Sequence, residues 1–397
     1  MRKILFCCSL LFFARMASAQ HPQKFDSLYK TIHAAEFCKL MQQDPSIALL
    51  DVRSAGEYSD TSRYNSLNMG HLKNAINMEI DTMLKNPAIL DQFRNKTLVI
   101  YCSHSQRSRR VSKLLTEHGL TNFYNLNGGM SLLNQLNEDE FPCKNNWIVS
   151  EVGYKNISNT DAVQLINKQV RLIVLDVRPA IQFASKDTLA ENNIGKLKQA
   201  INIPYADLKN QLAQLPQDKN YPILVYAGSG DGDAARAAGE LVENGFTQVY
   251  HLLAGLHDLA SKSYPGILET NNAYQLVDPL RALNLLKKER DLLIYDTRPL
   301  SEFENRDPLA YKNLGNIKKA VHVDALDFER FELPADKRVP VLVYGHGEAY
   351  KFAELLSGRG YKNVYLLNSL YDFFWSSFNV AACKDAKDYL VNHTGIY

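Results

Sequence analysis

The chain has few cysteines and almost no net charge for its length. Six cysteines occur in 397 residues, and the formal net charge at neutral pH is +2. Such a balance argues against a strongly basic surface for nucleic acid or anionic lipid, so any functional charge must be local. The low cysteine count excludes a disulfide framework, and no CxxC or His-x-x-x-His pattern suggests a structural zinc site.

Long apolar runs are also scarce, and the most apolar one lies at the N-terminus. Arg2 and Lys3 precede an apolar run over residues 4–13, and Ala17-Ser18-Ala19 follows it. This pattern predicts a secretory signal peptide over residues 1–19, a periplasmic or secreted mature chain, and no membrane attachment after cleavage. A membrane anchor is the alternative, but the run is about half of the roughly 20 residues that a spanning helix needs.

Removal of the signal would leave four cysteines, namely Cys38, Cys102, Cys143 and Cys383. Cys38 lies in an apparent helix over residues 34–41 and is predicted to be a small buried hydrophobic residue. One disulfide, for example between Cys143 and Cys383, is compatible with this count, although the spacing does not assign a pairing.

One pattern occurs three times along the chain. Each copy has an apolar run that ends in Asp-x-Arg, then a glycine-led phrase, a second apolar run ending in tyrosine, a loop and a helix-period segment. The Asp-x-Arg phrases begin at Asp51, Asp176 and Asp296, so they are 125 and 120 residues apart. The glycine-led phrases begin at Gly70, Gly195 and Gly315, and the second apolar runs end at Tyr101, Tyr226 and Tyr344.

Short β-branched runs without polar alternation are typical of strands buried on both faces, and their alternation with helical segments predicts a parallel sheet. The repeat therefore predicts an α/β fold of three tandem domains, each a small parallel sheet with helices on both faces. We place the domains at residues 24–140, 155–262 and 273–378. The stretches near residues 143–160 and 261–276 are interpreted as linkers, and residues 379–397 as a C-terminal tail.

The first repeat carries a reactive constellation after Tyr101. Its loop consists of Cys102, Ser103, His104, Ser105, Gln106 and Arg107. The cysteine is predicted at the carboxyl end of a central strand, where open α/β sheets bind ligands. Converging backbone amides and the start of a helix favour a thiolate over a thiol there, so Cys102 is the candidate nucleophile.

Local charge separates the first repeat from the other two. Residues 101–113 carry four basic residues and no acid, whereas residues 226–238 and 344–356 each have a net charge of −1. Ala227 and Gly345 stand at the cysteine position and cannot form a covalent intermediate. The second and third repeats are therefore predicted to be degenerate.

Taken together and in this order, the Asp-x-Arg opening, the glycine-led phrase and Cys-x-x-Ser-x-Arg-Ser resemble the rhodanese family of sulfurtransferases over nearly all of the mature chain. The resemblance implies that Cys102 takes a sulfane sulfur from thiosulfate or a similar small anionic donor and holds it as a persulfide. Cyanide or a thiol then removes the sulfur. Residues 103–107 would form the backbone cradle, Arg107 would bind the donor, and no metal or organic cofactor is implied.

The resemblance also separates sulfur transfer from phosphatases of the same fold. Those carry arginine six positions after the cysteine, whereas here Arg107 is at the fifth position and Ser108 at the sixth. The shorter loop suits a sulfur atom better than a phosphate group. A role for His104 in tuning the thiolate or the donor site is as compatible with the pattern as a solvent-facing histidine.

Other observations point to structure or to binding. Asp51 and Arg53 recur in all three repeats, which indicates a structural ion pair or hydrogen-bond role rather than a catalytic one. The alternative function is a non-catalytic scaffold or persulfide carrier, in which the second and third repeats dock a protein partner. Turnover of thiosulfate with cyanide distinguishes the two.

Overall fold

A computed structural model describes residues 28–168, 171–229 and 232–391. These residues divide into two compact units, one within Phe25–Asn272 and the other within Ala273–Tyr397. The first holds two repeats and the second holds the third. The predicted signal at residues 1–19 lies outside the described residues, so export remains a prediction. Within the described ranges, no helix is long and apolar enough to cross a membrane.

The three repeats have the same order of strands and differ in their short helices. The first contains β1 (Lys30–Ile32), α1 (Ala34–Gln43), β2 (Ala48–Asp51), α2 (Ala55–Tyr58), β3 (His71–Leu72), β4 (Ile76–Asn77), α3 (Ile80–Lys85), β5 (Leu98–Tyr101), α4 (Gln106–Glu117), β6 (Phe123–Leu126), α5 (Gly129–Gln135), α6 (Lys144–Trp147) and β7 (Ile148–Val149). The second contains β8 (Lys155–Ile157), α7 (Asn159–Lys168), β9 (Ile173–Asp176), α8 (Ala180–Phe183), β10 (Lys196–Leu197), β11 (Ala200–Asn202), α9 (Leu208–Gln211), β12 (Ile223–Tyr226), α10 (Gly232–Glu243), β13 (Val249–Leu252), α11 (Gly255–Ser261) and β14 (Leu268–Glu269). The third contains β15 (Gln275–Val277), α12 (Pro279–Lys288), β16 (Leu293–Asp296), α13 (Leu300–Phe303), β17 (Asn316–Ile317), β18 (Val321–His322), β19 (Val341–Tyr344), α14 (Gly347–Gly358), β20 (Val364–Leu367), α15 (Leu370–Asn379) and β21 (Leu390–Val391).

Each repeat is built on a five-stranded sheet whose strand pairs are all parallel. The strand orders are β1-β6-β5-β2-β4, β11-β9-β12-β13-β8 and β15-β20-β19-β16-β18. The second apolar run of each repeat forms a central strand, and all four of its residues are buried. This confirms the predicted α/β fold of three tandem domains.

The recurring Asp-x-Arg phrase forms a buried ion pair in every repeat. Arg53 donates to the Asp51 carboxylate at 2.7 Å and to the Gly70 carbonyl at 2.7 Å. The same contacts join Arg178 to Asp176 and Gly195, and Arg298 to Asp296 and Gly315. The pair therefore ties the strand end to the glycine-led phrase, which confirms its structural interpretation.

The prediction for Cys38 was wrong, and the one disulfide among the described residues has a pairing that the spacing had left open. Cys38 and Cys143 form a disulfide with their Cα atoms 5.8 Å apart, whereas Cys383 is a free, buried thiol. The chain after α5 folds back onto α1, and Phe37 makes edge-on contacts with Phe141 and Trp147 there. This return brings two cysteines together that are 105 residues apart in sequence.

The stretches interpreted as linkers and tail contain paired strands. Each repeat ends in a short strand that pairs antiparallel with its own glycine-led phrase: β7 with β3, β14 with β10, and β21 with β17. Before β21 the chain forms a 3-10 helix over Ala381–Tyr389. Residues 144–149, 268–269 and 381–391 are thus part of their repeats, because each closing strand provides partners for backbone groups of the glycine-led phrase.

Candidate active site

Cys102 lies immediately after β5, beneath the start of α4. It is 1% exposed and carries a free thiol. Because side chains alternate along a strand, Cys102 shares a face with Leu98 and Ile100 and joins the core cluster that includes Val111 and Leu115 of α4. The predicted nucleophile therefore belongs to the core layer between the sheet and α4.

The loop after Cys102 is held by hydrogen bonds from α5. The backbone N–H of Met130 donates to the Cys102 carbonyl at 2.9 Å, and that of Ser131 donates to the Ser103 carbonyl at 3.0 Å. Ser105 adopts a left-handed conformation with φ of 71°, which turns the chain into α4. The backbone N–H of Gly128 donates to the Ser105 hydroxyl oxygen. The loop is therefore fixed at both ends.

Gly129 allows this close approach of α5 to the loop. Its φ is 60°, and a Cβ at this position would lie 2.2 Å from the Cys102 carbonyl oxygen. We expect Gly129→Ala to destabilise the protein by about 1–3 kcal/mol and to displace Cys102, so that sulfur transfer falls sharply. Thermal unfolding and turnover measure the two effects.

Gly255 provides a matched control in the second repeat. Its φ is 74°, and an added Cβ would lie 2.6 Å from the Ser229 carbonyl carbon. Gly255→Ala is expected to lower the unfolding temperature similarly while leaving the turnover of the folded protein unchanged. Equal losses of turnover in both variants would contradict a specific role for Gly129 in shaping the Cys102 loop.

Arg107 forms an ion pair with Glu57 beside the loop. Its two terminal nitrogens each donate to one oxygen of the Glu57 carboxylate at 2.6 Å, and one of them also donates to the Ser103 hydroxyl at 2.9 Å. Burial disfavours the guanidinium charge, but Glu57 and the nearby Cys102 sulfur outweigh it and raise the pKa of Arg107. The local charge expected from residues 101–113 is thus partly compensated by an acid from α2.

The structure places the other predicted substrate-binding residues around this pair. Ser103 and Ser105 are buried, whereas His104 and Gln106 are exposed. Although His104 is partly exposed, partial desolvation of its ring within the loop and then the positive charge of Arg107 lower the pKa of His104. His104 is therefore expected to be neutral at physiological pH. Contacts of these residues with a donor remain predictions.

Glu57 is the residue that sequence reasoning missed. It lies in α2, 50 residues before Arg107, and only the fold brings the two together. A signal was available, because Glu57 and Glu302 stand at the same distance after the Asp-x-Arg aspartate, with Gln182 in the second repeat.

In the second repeat, the cysteine position keeps the backbone anchors of the first. The N–H of Leu256 donates to the Ala227 carbonyl at 2.9 Å, and that of His257 donates to the Gly228 carbonyl at 2.8 Å. The start of the loop is therefore conserved in shape while the thiol is absent.

In the third repeat, the space for a side chain at the cysteine position is occupied by Thr297, which directly follows β16. A Cβ added to Gly345 would lie 2.2 Å from the Thr297 hydroxyl oxygen. The next residue, His346, lies 2.8 Å from the Glu302 carboxylate, which also accepts from Lys312 at 2.9 Å. The predicted loss of the nucleophile is accompanied here by loss of its space.

A sequence profile of the rhodanese-like domain matches residues 34–135, 158–262 and 278–372. Thiosulfate sulfurtransferase GlpE of Coxiella burnetii is 33% identical over 96 residues, which cover 24% of this chain and 80% of that protein. The tRNA uridine(34) hydroxylase of Pectobacterium carotovorum is 29% identical over 100 residues, 24% of this chain and 26% of the hydroxylase. The chain therefore spans only about a quarter of that relative's length.

An anaerobic ergothioneine biosynthesis enzyme of Chlorobium limicola is a structural relative at 13% identity and a TM-score of 0.27, with 89% of this chain and 98% of that chain covered. A likeness at this TM-score carries no argument about function. The sequence matches, in contrast, cover all three repeats and more than half of the residues. The chain belongs to the rhodanese-like domain family and contains three copies of the domain in tandem.

Proposed function

We propose that this protein is a sulfurtransferase that moves a sulfane sulfur from a small anionic donor to a thiophilic acceptor through a persulfide on Cys102. The observation that carries the proposal is a free cysteine between the end of β5 and the start of α4, at a position where the other two repeats have Ala227 and Gly345. Thiosulfate or a similar sulfane-sulfur anion is the proposed donor, supported by the likeness to the thiosulfate sulfurtransferase GlpE.

The proposed reaction has two displacement steps. The Cys102 thiolate attacks the sulfane sulfur of thiosulfate, the sulfur–sulfur bond of the donor breaks, and sulfite leaves with the electron pair. Cyanide or a thiolate then attacks the outer sulfur of the persulfide and regenerates the Cys102 thiolate. Each step exchanges one thiolate-type nucleophile for another, so no external oxidant or reductant is needed.

The loop is proposed to stabilise the negative charge of the persulfide. The chain enters α4 through the left-handed Ser105, and the first amides of a helix carry partial positive charge. Hydrogen bonds from α5 hold the carbonyls of Cys102 and Ser103 from the opposite side. A fixed loop requires little reorganisation when charge develops on the transferred sulfur.

Turnover of thiosulfate and cyanide to sulfite and thiocyanate tests the proposal. A Cys102 persulfide should accumulate when thiosulfate is supplied without acceptor, and peptide mapping by mass spectrometry should place the extra sulfur on Cys102. No turnover and no persulfide with any sulfane-sulfur donor would favour the non-catalytic scaffold instead.

The second and third repeats are proposed to be inactive packing or docking domains. In a Cys102→Ser background, we expect Ala227→Cys and Gly345→Cys to stay inactive with thiosulfate, because neither loop regains the arginine of the first repeat. Gly345→Cys also clashes with Thr297 and should cost about 1–3 kcal/mol of stability. Measurable thiosulfate turnover in either variant would show that its loop retained a catalytic form.

We also propose that the protein is exported. The signal-like residues 1–19 support this proposal, and so does the Cys38–Cys143 disulfide, since structural disulfides persist mainly in oxidising compartments. N-terminal sequencing of the protein from the host's extracytoplasmic fraction should begin at Gln20.

A further inference from the structure

The cation predicted to bind the donor is already paired with an acid. Both oxygens of Glu57 accept hydrogen bonds from Arg107, in the two-pronged geometry that makes arginine–carboxylate pairs strong. The Glu57 side chain is 5% exposed and that of Arg107 is 28% exposed. Because solvent screens such a pair weakly, the negative charge of Glu57 acts directly on what approaches Arg107.

Glu57 is also fixed independently of Arg107. The backbone N–H and the hydroxyl of Ser54 donate to the same Glu57 oxygen at 3.1 and 3.0 Å, which forms a capping box at the start of α2. Burial by itself would raise the pKa of Glu57, but hydrogen bonds and charge from Arg107 lower it. The carboxylate is therefore ionised at neutral pH and cannot swing away easily.

The pair lies within electrostatic range of the reacting sulfur. Arg107 donates to the hydroxyl of Ser103, the residue directly after Cys102, and Cys102 is among the groups whose electrostatic interaction raises the pKa of Arg107. A donor that reaches the sulfur thus meets a guanidinium whose charge is compensated. A negative charge on that donor is therefore attracted by Arg107 and at the same time repelled by Glu57.

The repeats support a link between this acid and the cation of the loop. The second repeat has Gln182 in place of Glu57 and Gly232 in place of Arg107. The third repeat retains an acid, Glu302, and there the loop residue His346 contacts it. The first and third repeats thus have both an acid at this position and a loop side chain that contacts it, whereas the second repeat has neither the acid nor the arginine.

We propose that Glu57 is a specificity-determining residue that favours sulfane-sulfur donors with a single negative charge over dianions such as thiosulfate. This inference rests on the proposed sulfur transfer at Cys102. A thiosulfonate illustrates the preferred class: the Cys102 thiolate takes its outer sulfur, the sulfur–sulfur bond breaks, and a sulfinate leaves with the electron pair. An organic persulfide reacts in the same way and releases a thiolate.

Methanethiosulfonate and thiosulfate form a matched pair of probes, since a methyl group in one replaces a charged oxygen in the other. The test is to measure kcat/KM for both donors, with cyanide as acceptor, in the wild-type protein and in Glu57→Gln, which introduces the residue found in the second repeat. Because the substitution removes the negative charge of Glu57 close to the donor, the ratio of kcat/KM for thiosulfate to kcat/KM for methanethiosulfonate should rise about tenfold. A ratio within twofold of wild type would overturn the proposal.

Glu57→Asp is the control for position against charge. It keeps the carboxylate but shortens its reach to Arg107. If charge sets the preference, kcat/KM for the two donors should change by the same factor in Glu57→Asp. A tenfold change of the donor ratio in Glu57→Asp would contradict the proposal. If Glu57→Gln does not fold, the wild-type protein alone provides a test. Its kcat/KM for each donor is divided by the rate constant of the uncatalysed reaction of that donor with cyanide, and the resulting value should be higher for methanethiosulfonate. A higher value for thiosulfate would overturn the inference. Absence of turnover with both donors would instead reject the proposed function itself.

Discussion

Replacement of Cys102 by serine should abolish sulfur transfer and the persulfide adduct. A serine hydroxyl is not ionised at neutral pH and is a poor nucleophile toward sulfur, so the first step has no substitute group. Cys102 is buried in a core layer of the first repeat, and serine is close to it in size. The fold should survive while kcat/KM falls by at least about 10³-fold, as expected for removal of a covalent nucleophile.

Cys383→Ser is the matched control for this prediction. Cys383 is the other free cysteine among the described residues, it is also buried, and burial raises the pKa of its thiol. It lies in the third repeat, outside the unit that contains Cys102. Turnover should be unchanged in Cys383→Ser. Retention of turnover in Cys102→Ser, or loss of turnover in Cys383→Ser, would show that Cys102 is not the nucleophile.

The fold could be predicted from the sequence because its signals are short motifs that occur three times in the same order. Strand runs, Asp-x-Arg phrases and glycine-led phrases each lie within a few residues, and three copies of the same order distinguish them from chance. The central strands contain only buried residues, so their apolar composition was unambiguous. The position of Cys102 at the end of such a strand followed directly.

The parts that could not be predicted depend on contacts between distant segments. Cys38 meets Cys143 only because the chain returns across α1 after α5, and the polar composition of that return suggested a linker. Thr297 occupies the space beside Gly345 through the packing of two strand ends. The charge count over residues 101–113 could not include Glu57, because Glu57 lies in α2 and reaches Arg107 only in the folded protein.

Arg107→Ala is expected to impair both stability and donor use, because it leaves Glu57 buried without its cation. Removal of one partner of a buried pair costs about 3–5 kcal/mol. The lower end applies here, since Arg107 is partly exposed and Ser54 continues to donate to Glu57. Denaturant unfolding of Arg107→Ala should therefore show a loss of about 3 kcal/mol. The apparent KM for thiosulfate should rise at least about tenfold, since a charge-assisted contact contributes about 1.5–3 kcal/mol.

The double variant Arg107→Ala/Glu57→Gln separates the lost cation from the exposed acid. With the carboxylate also neutral, no buried charge is left unpaired, so the double variant should be more stable than Arg107→Ala. Its KM for thiosulfate should lie between those of the wild type and of Arg107→Ala, because repulsion by Glu57 is gone while attraction by Arg107 is still missing. Additive losses in the double variant would show that the two side chains act independently, and a thiosulfate KM within twofold of wild type in Arg107→Ala would reject Arg107 as a determinant of donor binding.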